Sequence, residues 1–232
     1  RDNTGSSGTL YAGVAFLAPA LAIPFPLSMA PLLAFAAVAA ALLSAVGTRA
    51  FPRVPATVVL PLGALTLWGA VTLFWSPHPA RGFVTVWRIG FMFLAAGIMI
   101  VEARKLSAAD RARVRRLLVA GIGIGLVALA VECYGDAPLD RSIRGALALD
   151  DFQPFMLNRP ASILAVLVWP AAAAAYVGMG RSAAAAVVAA GVAALSGTES
   201  TSVALAVSAG ISVAVLFLIP GARRIVSRAV AA

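Results

Sequence analysis

Residues 117–133 read LLVAGIGIGLVALAVEC, an apolar run in which Glu132 is the only charged residue. A helix over this run extends about 25 Å and approaches the thickness of bilayer hydrocarbon, which is about 30 Å. The whole chain has the same character, because 62% of its 232 residues are hydrophobic and only 12% are charged, against about 25% charged in soluble domains. The sequence therefore predicts a polytopic membrane protein and excludes a soluble globular one.

The other apolar runs extend this prediction to the full chain. We predict an all-α fold, a single transmembrane domain over residues 1–232 with its longest outer loop at 134–160. It contains about eight spans, near 10–25, 27–46, 56–75, 83–101, 117–133, 161–177, 182–196 and 203–219. Pro19, Pro24 and Pro26 leave the first pair open between two short spans and a re-entrant hairpin.

The basic residues orient these spans. With the amino terminus in the cytoplasm, that side receives most of the 18 lysines and arginines, and the outer face receives Arg81, Arg141, Arg144 and Arg159. This asymmetry follows the positive-inside rule and predicts that both termini are cytoplasmic. The net charge of +9 is then explained by topology, and no nucleic acid partner is expected. Residues 102–118 hold many of these cations, in a spacing that suits either a cytosolic helix against anionic headgroups or a solvated loop.

Several kinds of chemistry are not expected from this sequence. The single Cys133 excludes an internal disulfide and a multi-cysteine metal site, and the single His78 argues against a histidine-rich metal centre. Gly121, Gly123 and Gly125 form a glycine string within an apolar span, without the preceding strand or following lysine that a nucleotide site requires. We therefore expect no metal and no cofactor.

Charged residues near one side of the membrane are the candidate functional residues. A charge within hydrocarbon costs from about 3 to more than 10 kcal/mol, and Arg88 is predicted about 8 Å below the outer boundary of the fourth span. Glu132, Arg159 and Glu199 fall near the same boundary. Taken singly, these residues have ordinary explanations. Arg88 and Glu132 extend toward the membrane surface or pair with each other, and Arg159 and Glu199 are interfacial loop residues. Taken together, the two arginines suit an anion such as a lipid diphosphate, because guanidinium groups bind phosphate oxygens with paired hydrogen bonds.

Three segments resemble a known family. Residues 158–170, Asn-Arg-Pro-Ala-Ser-Ile-Leu-Ala-Val-Leu-Val-Trp-Pro, resemble the Asn-Arg start and Trp-Pro interior found in the O-antigen ligase and O-antigen polymerase-like membrane glycosyltransferases. The Ser-rich segment 196–202, Ser-Gly-Thr-Glu-Ser-Thr-Ser, is similar to a turn between the next two helices of that family. Upstream, Trp75-Ser76-Pro77 resembles the short outer loop that precedes an arginine-bearing helix.

The resemblance implies a multi-pass enzyme of the bacterial inner membrane that acts in lipopolysaccharide biosynthesis. Such enzymes take an undecaprenyl-diphosphate-linked glycan as donor and transfer it, without metal, to a lipid A core or glycan acceptor on the periplasmic side. Arg159 matches the family arginine that holds the diphosphate, and Arg88 assists by position. The supporting residues implied are Asn158, Glu132, Glu199 and Ser200, and no catalytic residue is assigned.

The resemblance has one large gap, which leaves three functions open. The family carries a later half whose periplasmic loop supplies a further arginine and a histidine, and residues 1–232 hold neither, since His78 does not occupy that position. We expect transferase activity if the chain is part of a longer protein. The alternative is a non-catalytic membrane subunit or scaffold that binds other membrane proteins through its small-residue helices. A transporter is disfavoured, because the charges lie away from the bilayer midplane.

Overall fold

The protein is helical throughout its described part. The computed structural model describes residues 4–48, 52, 54–135, 137–146 and 157–198, and no β-strand occurs among them. Two 3₁₀ turns, Pro26–Ser28 and Thr72–Trp75, accompany the α-helices. The α-helices are α1 (Thr4–Leu21), α2 (Met29–Thr48), α3 (Ala56–Val71), α4 (Pro79–Arg104), α5 (Ala108–Tyr134), α6 (Pro138–Ala146), α7 (Asn158–Met179) and α8 (Arg181–Ser196). The predicted all-α class is confirmed for these residues.

Several of these helices are long and apolar enough to cross a bilayer. By length and composition, 5 segments qualify: Met29–Gly47, Ala56–Trp75, Pro79–Arg104, Ala108–Tyr134 and Asn158–Met179. Two shorter apolar helices, Ser7–Leu21 and Arg181–Ser196, match the first and seventh predicted spans. The predicted span at 203–219 lies outside the described residues. The helices thus indicate a membrane protein, whereas the count of eight spans and the cytoplasmic placement of both termini stay predictions.

Two stretches differ from what the hydropathy pattern indicates. Helix α5 begins at Ala108, well before the predicted start at residue 117, because Ser107 caps it. The Ser107 Oγ accepts a hydrogen bond from the Asp110 amide (3.1 Å), which is the usual N-cap bond to the third residue of a helix, and donates one to Asp110 Oδ2 (2.6 Å). Residues 102–118 are therefore the end of α4, a short turn and the first turns of α5. Helix α6 lies within the segment 134–160 that was predicted as an outer loop.

The described residues fall into two compact units. The first comprises the residues up to Ala18 and Leu27–Gly121. Its buried cluster of Tyr11, Ala40 and Leu106 packs against Met99, among others, and the Tyr11 hydroxyl donates to the Met99 carbonyl oxygen at 2.9 Å. This hydrogen bond ties α1 to α4.

The second unit comprises Pro19–Pro26 and the residues from Ile122 onward. Helices α7 and α8 are joined by Gly180 alone, whose φ of 96° lies in a region that side chains other than glycine rarely adopt. A Cβ atom at Gly191 would lie 2.9 Å from Val168 Cγ2, and one at Gly125 would lie 2.9 Å from Leu164 Cδ2. Helices α5, α7 and α8 therefore approach closely where glycine leaves room. The prediction of a single transmembrane domain is not decided by this division and stays a prediction.

Candidate functional site

Three helix ends of the second unit lie on the same side of it. Helices α7 and α8 run antiparallel from Gly180, with Gly191 against Val168, so the start of α7 and the end of α8 share one end of this hairpin. The Tyr134 hydroxyl at the end of α5 donates to the Ala193 carbonyl oxygen of α8 (3.3 Å). The end of α5 therefore joins them. We call this region the convergent end; its described candidate residues are Glu132, Asn158, Arg159, Ser196 and Thr198.

Glu132 is the most buried charged group of the convergent end, with 2% of its surface exposed. Its Oε1 accepts a hydrogen bond from the Leu139 amide (2.7 Å) and its Oε2 accepts one from the Asp140 amide (3.2 Å). Both amides belong to the first turn of α6, where unpaired N–H groups and the helix dipole favour a negative charge. The carboxylate of Glu132 is therefore the N-terminal cap of α6.

The backbone of the α5–α6 connection supports this cap. The Gly135 amide donates to the Val131 carbonyl oxygen (2.8 Å) and the Ala137 amide donates to the Glu132 carbonyl oxygen (3.0 Å). Ala137 has a φ of 55°, a left-handed conformation that costs a residue with a Cβ atom about 1–2 kcal/mol. Two interactions hold this conformation. The Glu132 carboxylate bonds to the α6 amides that follow the turn, and the Ala137 side chain is buried.

Arg159 lies in the first turn of α7 and is exposed. Leu157, at the N-cap position of this helix, makes no side-chain hydrogen bond that would cap it. Within the described part of the chain, Arg159 forms no ion pair. A helix N-terminus that carries an exposed arginine attracts an anion through both its amide groups and its guanidinium. Asn158 stands beside it, and the Asn158 carbonyl oxygen accepts from Ser162 Oγ (2.7 Å).

The hydroxyl groups of the Ser-rich segment that the structure describes bond to their own helix. Ser196 Oγ donates to the Ala193 carbonyl oxygen (2.7 Å), and Thr198 Oγ1 donates to the Leu195 carbonyl oxygen (2.7 Å). They thereby add a second hydrogen bond to carbonyl groups at the end of α8 that already accept one, from the Tyr134 hydroxyl and the Thr198 amide. Glu199 and Ser200, two of the predicted supporting residues, lie outside the described residues.

Arg88 belongs to the first unit and Arg159 to the second. Arg88 lies on α4, is exposed, and follows Trp87, whose ring meets that of Phe91 edge to face at a centroid distance of 4.9 Å. Helix α4 begins at Pro79, before the predicted span start at residue 83. The joint action of Arg88 and Arg159 on one diphosphate stays a prediction.

A polar cluster in the first unit was not among the predicted site residues. Glu102, 8% exposed, accepts a hydrogen bond from Lys105 Nζ (2.6 Å), and the same Nζ donates to Ser44 Oγ (3.2 Å). The cluster ties the end of α4 to α2. The ion pair could have been predicted from the sequence, because Glu102 and Lys105 are three residues apart. The contact with Ser44 could not, because it depends on how α2 packs against α4.

No convergent metal-ligand set accompanies these groups. Across residues 4–48, 54–135, 137–146 and 157–198, no three His, Cys, Asp or Glu side chains come together in a way that would hold a metal ion. His78 is exposed at the start of α4.

Comparisons with known proteins found no matching family model, no matching curated protein and no matching solved structure. The resemblance to O-antigen ligases therefore rests on the short motifs at 75–77, 158–170 and 196–202.

Proposed function

We propose that this protein is a membrane glycosyltransferase of the O-antigen ligase type, located in the bacterial inner membrane. It would transfer glycan from an undecaprenyl-diphosphate donor to a lipid A core or glycan acceptor on the periplasmic side. The observation that carries the proposal is Arg159, an exposed arginine in the first turn of α7 that forms no ion pair among the described residues. The Asn-Arg-Pro motif around it supplies the link to this enzyme class.

The proposed reaction places Arg159 on the leaving group. An acceptor hydroxyl oxygen attacks the anomeric carbon of the glycan, the bond from that carbon to the diphosphate oxygen breaks, and the lipid diphosphate leaves with the electron pair. The hydroxyl proton passes to a base that is not assigned to any residue. Negative charge grows on the diphosphate as the bond breaks, and a fixed guanidinium with two parallel donors stabilises that charge.

The surroundings of Arg159 support a fixed position for its backbone. Pro160 follows it and is buried, and the Ser162 hydroxyl bonds to the Asn158 carbonyl oxygen. Leu164 is also buried and lies close to Gly125 of α5. A guanidinium carried by a packed helix start loses less entropy on binding than one carried by a mobile loop.

Substitution of Arg159 tests the proposal. We expect Arg159→Ala to weaken binding of undecaprenyl diphosphate at least about tenfold, because a hydrogen bond to a charged group contributes about 1.5–3 kcal/mol. Arg159→Lys keeps the charge but loses the paired donors, so an intermediate loss is expected. Arg181→Ala is the matched control, since Arg181 is also exposed and starts the partner helix α8 at the opposite end of the hairpin.

Binding is measured by native mass spectrometry of the purified protein, and glycan transfer is measured in cells that carry the variant in the complete gene. Unchanged donor binding and unchanged transfer in Arg159→Ala would refute the proposal.

A second function, a non-catalytic subunit of a larger membrane complex, is favoured by one observation. No residue of α3 is buried, and the helix exposes large apolar side chains including Leu60, Leu65 and Trp68. Such a surface faces either lipid or another membrane protein. Gentle extraction followed by native mass spectrometry distinguishes lipid from a protein partner at this surface. A subunit is recovered together with its partner, whereas recovery of the chain always alone excludes this function.

A further inference from the structure

The first turns of α5 carry an unusual concentration of positive charge. Arg111, Arg113, Arg115 and Arg116 all lie within this part of the helix; we call these four residues the arginine collar. Helix α5 has 27 residues and is about 40 Å long, roughly 10 Å more than the bilayer hydrocarbon. Its uncharged stretch begins at Leu117. Placing that stretch in hydrocarbon puts the arginine collar at the level of the lipid headgroups.

The charge of the collar is not compensated within the described part of the chain. The nearest carboxylates in the sequence are engaged elsewhere, since Asp110 bonds to Ser107 and Glu102 bonds to Lys105. No collar arginine forms an ion pair with a described carboxylate. Arg111 with Arg115 and Arg113 with Arg116 are neighbours on the helix surface, and like charges at these spacings destabilise a helix. An anion bound between them would remove this repulsion.

Two features indicate how the collar meets an anion. Arg113 and Arg116 are exposed, three residues apart, and Ala120 continues their exposed face of the helix toward the apolar stretch. Arg115 is half-buried, and its Nε is shielded from solvent without a hydrogen-bond partner among the described residues. A partly dehydrated guanidinium attracts an anion more strongly than a fully hydrated one, because the local dielectric constant is lower.

We propose that the arginine collar binds the headgroup phosphate of an anionic phospholipid in the leaflet at this end of α5. Arg113 and Arg116 bind the phosphate from the exposed face, and Arg111 and Arg115 add positive potential beside it. A lipid is favoured over a soluble anion because the collar lies at headgroup depth and its exposed face continues into apolar surface. The site is separate from Arg159 and does not depend on the transferase function.

The test compares lipid binding of the intact purified protein and its variants by native mass spectrometry, with phosphatidylglycerol as the anionic lipid and phosphatidylethanolamine as the neutral one. Each surface arginine strengthens attraction to anionic lipid by about fivefold. We therefore expect Arg113→Gln/Arg116→Gln to weaken phosphatidylglycerol binding about 25-fold and to leave phosphatidylethanolamine binding unchanged. Arg113→Lys/Arg116→Lys keeps the charge and is expected to retain most of the binding.

Arg181→Gln is the matched control, because it removes an exposed arginine from the start of a different helix. The proposal is overturned if the double glutamine variant binds phosphatidylglycerol like the unmodified protein, or if Arg181→Gln loses as much. It is also overturned if inorganic phosphate at millimolar concentration displaces the lipid, which would identify a soluble phosphate as the ligand. Should the double variant not fold, the single variants Arg113→Gln and Arg116→Gln give the same comparison at about fivefold each.

Discussion

Removal of the Glu132 carboxylate is expected to release helix α6. The carboxylate accepts hydrogen bonds of 2.7 Å from the Leu139 amide and 3.2 Å from the Asp140 amide. A hydrogen bond to a charged group contributes about 1.5–3 kcal/mol, and the longer bond belongs at or below the lower end of that range. Loss of a helix cap alone costs about 0.5–2 kcal/mol. We therefore expect Glu132→Ala to destabilise the first turn of α6 by about 2–3 kcal/mol.

This destabilisation is measurable residue by residue. Helix α6 has 9 residues, and a helix this short is marginal without tertiary support, so loss of its cap frays it locally. A change of about 2–3 kcal/mol corresponds to roughly 30- to 150-fold faster hydrogen exchange at the Leu139 and Asp140 amides. Glu132→Gln keeps one acceptor oxygen but no charge, and we expect an intermediate increase.

Glu102→Gln is the control for these exchange measurements. It also alters a buried carboxylate, but that carboxylate bonds to Lys105 in the first unit, so the α6 amides should exchange at their original rates. If Glu132→Ala leaves the Leu139 and Asp140 amides as protected as before, the capping role assigned to Glu132 is wrong.

Two further substitutions test the packing within each unit, Gly191→Ala in the second and Tyr11→Phe in the first. Gly191→Ala would place a Cβ atom 2.9 Å from Val168 Cγ2, and we expect overpacking to cost about 1–3 kcal/mol in a detergent unfolding titration. Gly178→Ala is its control, since it has open space around it and should be neutral or stabilising. Tyr11→Phe removes the hydrogen bond to the Met99 carbonyl oxygen and is expected to lower the unfolding free energy by about 1 kcal/mol; an unchanged titration would show that this bond contributes nothing.

Hydropathy predicted the existence of the helices much better than their ends. The apolar run at 117–133 was recognised because burial in hydrocarbon dominates its energetics. The start of α5 at Ala108 depends instead on a local hydrogen bond between Ser107 and Asp110, within a charged segment that hydropathy alone assigns to solvent. Helix α6 was missed for a related reason, because its sequence is polar and its stability depends on a cap that comes from another helix.

The candidate site was predictable only in part. The concentration of charged residues near one boundary directed attention to Glu132 and Arg159, and the second unit places the end of α5 and the start of α7 on the same side. The partner of Glu132 was not predictable, because its carboxylate bonds to backbone amides that leave no mark in the side-chain pattern. The hydrogen bonds from Ser196 and Thr198 to carbonyl oxygens of α8 were likewise not predictable from the Ser-rich composition of segment 196–202.

The single-residue connection at Gly180 has a consequence for how the protein is made. Helix α8 has 16 residues, fewer than the roughly 20 that insert readily on their own. If α8 is the seventh span that the sequence predicts, only Gly180 separates it from the longer α7, so the ribosome would deliver the two to the translocation channel almost together and α8 would enter the lipid alongside its neighbour. Spacer residues inserted after Gly180 would delay α8 relative to α7, and its insertion during synthesis should then fail more often than that of any longer helix.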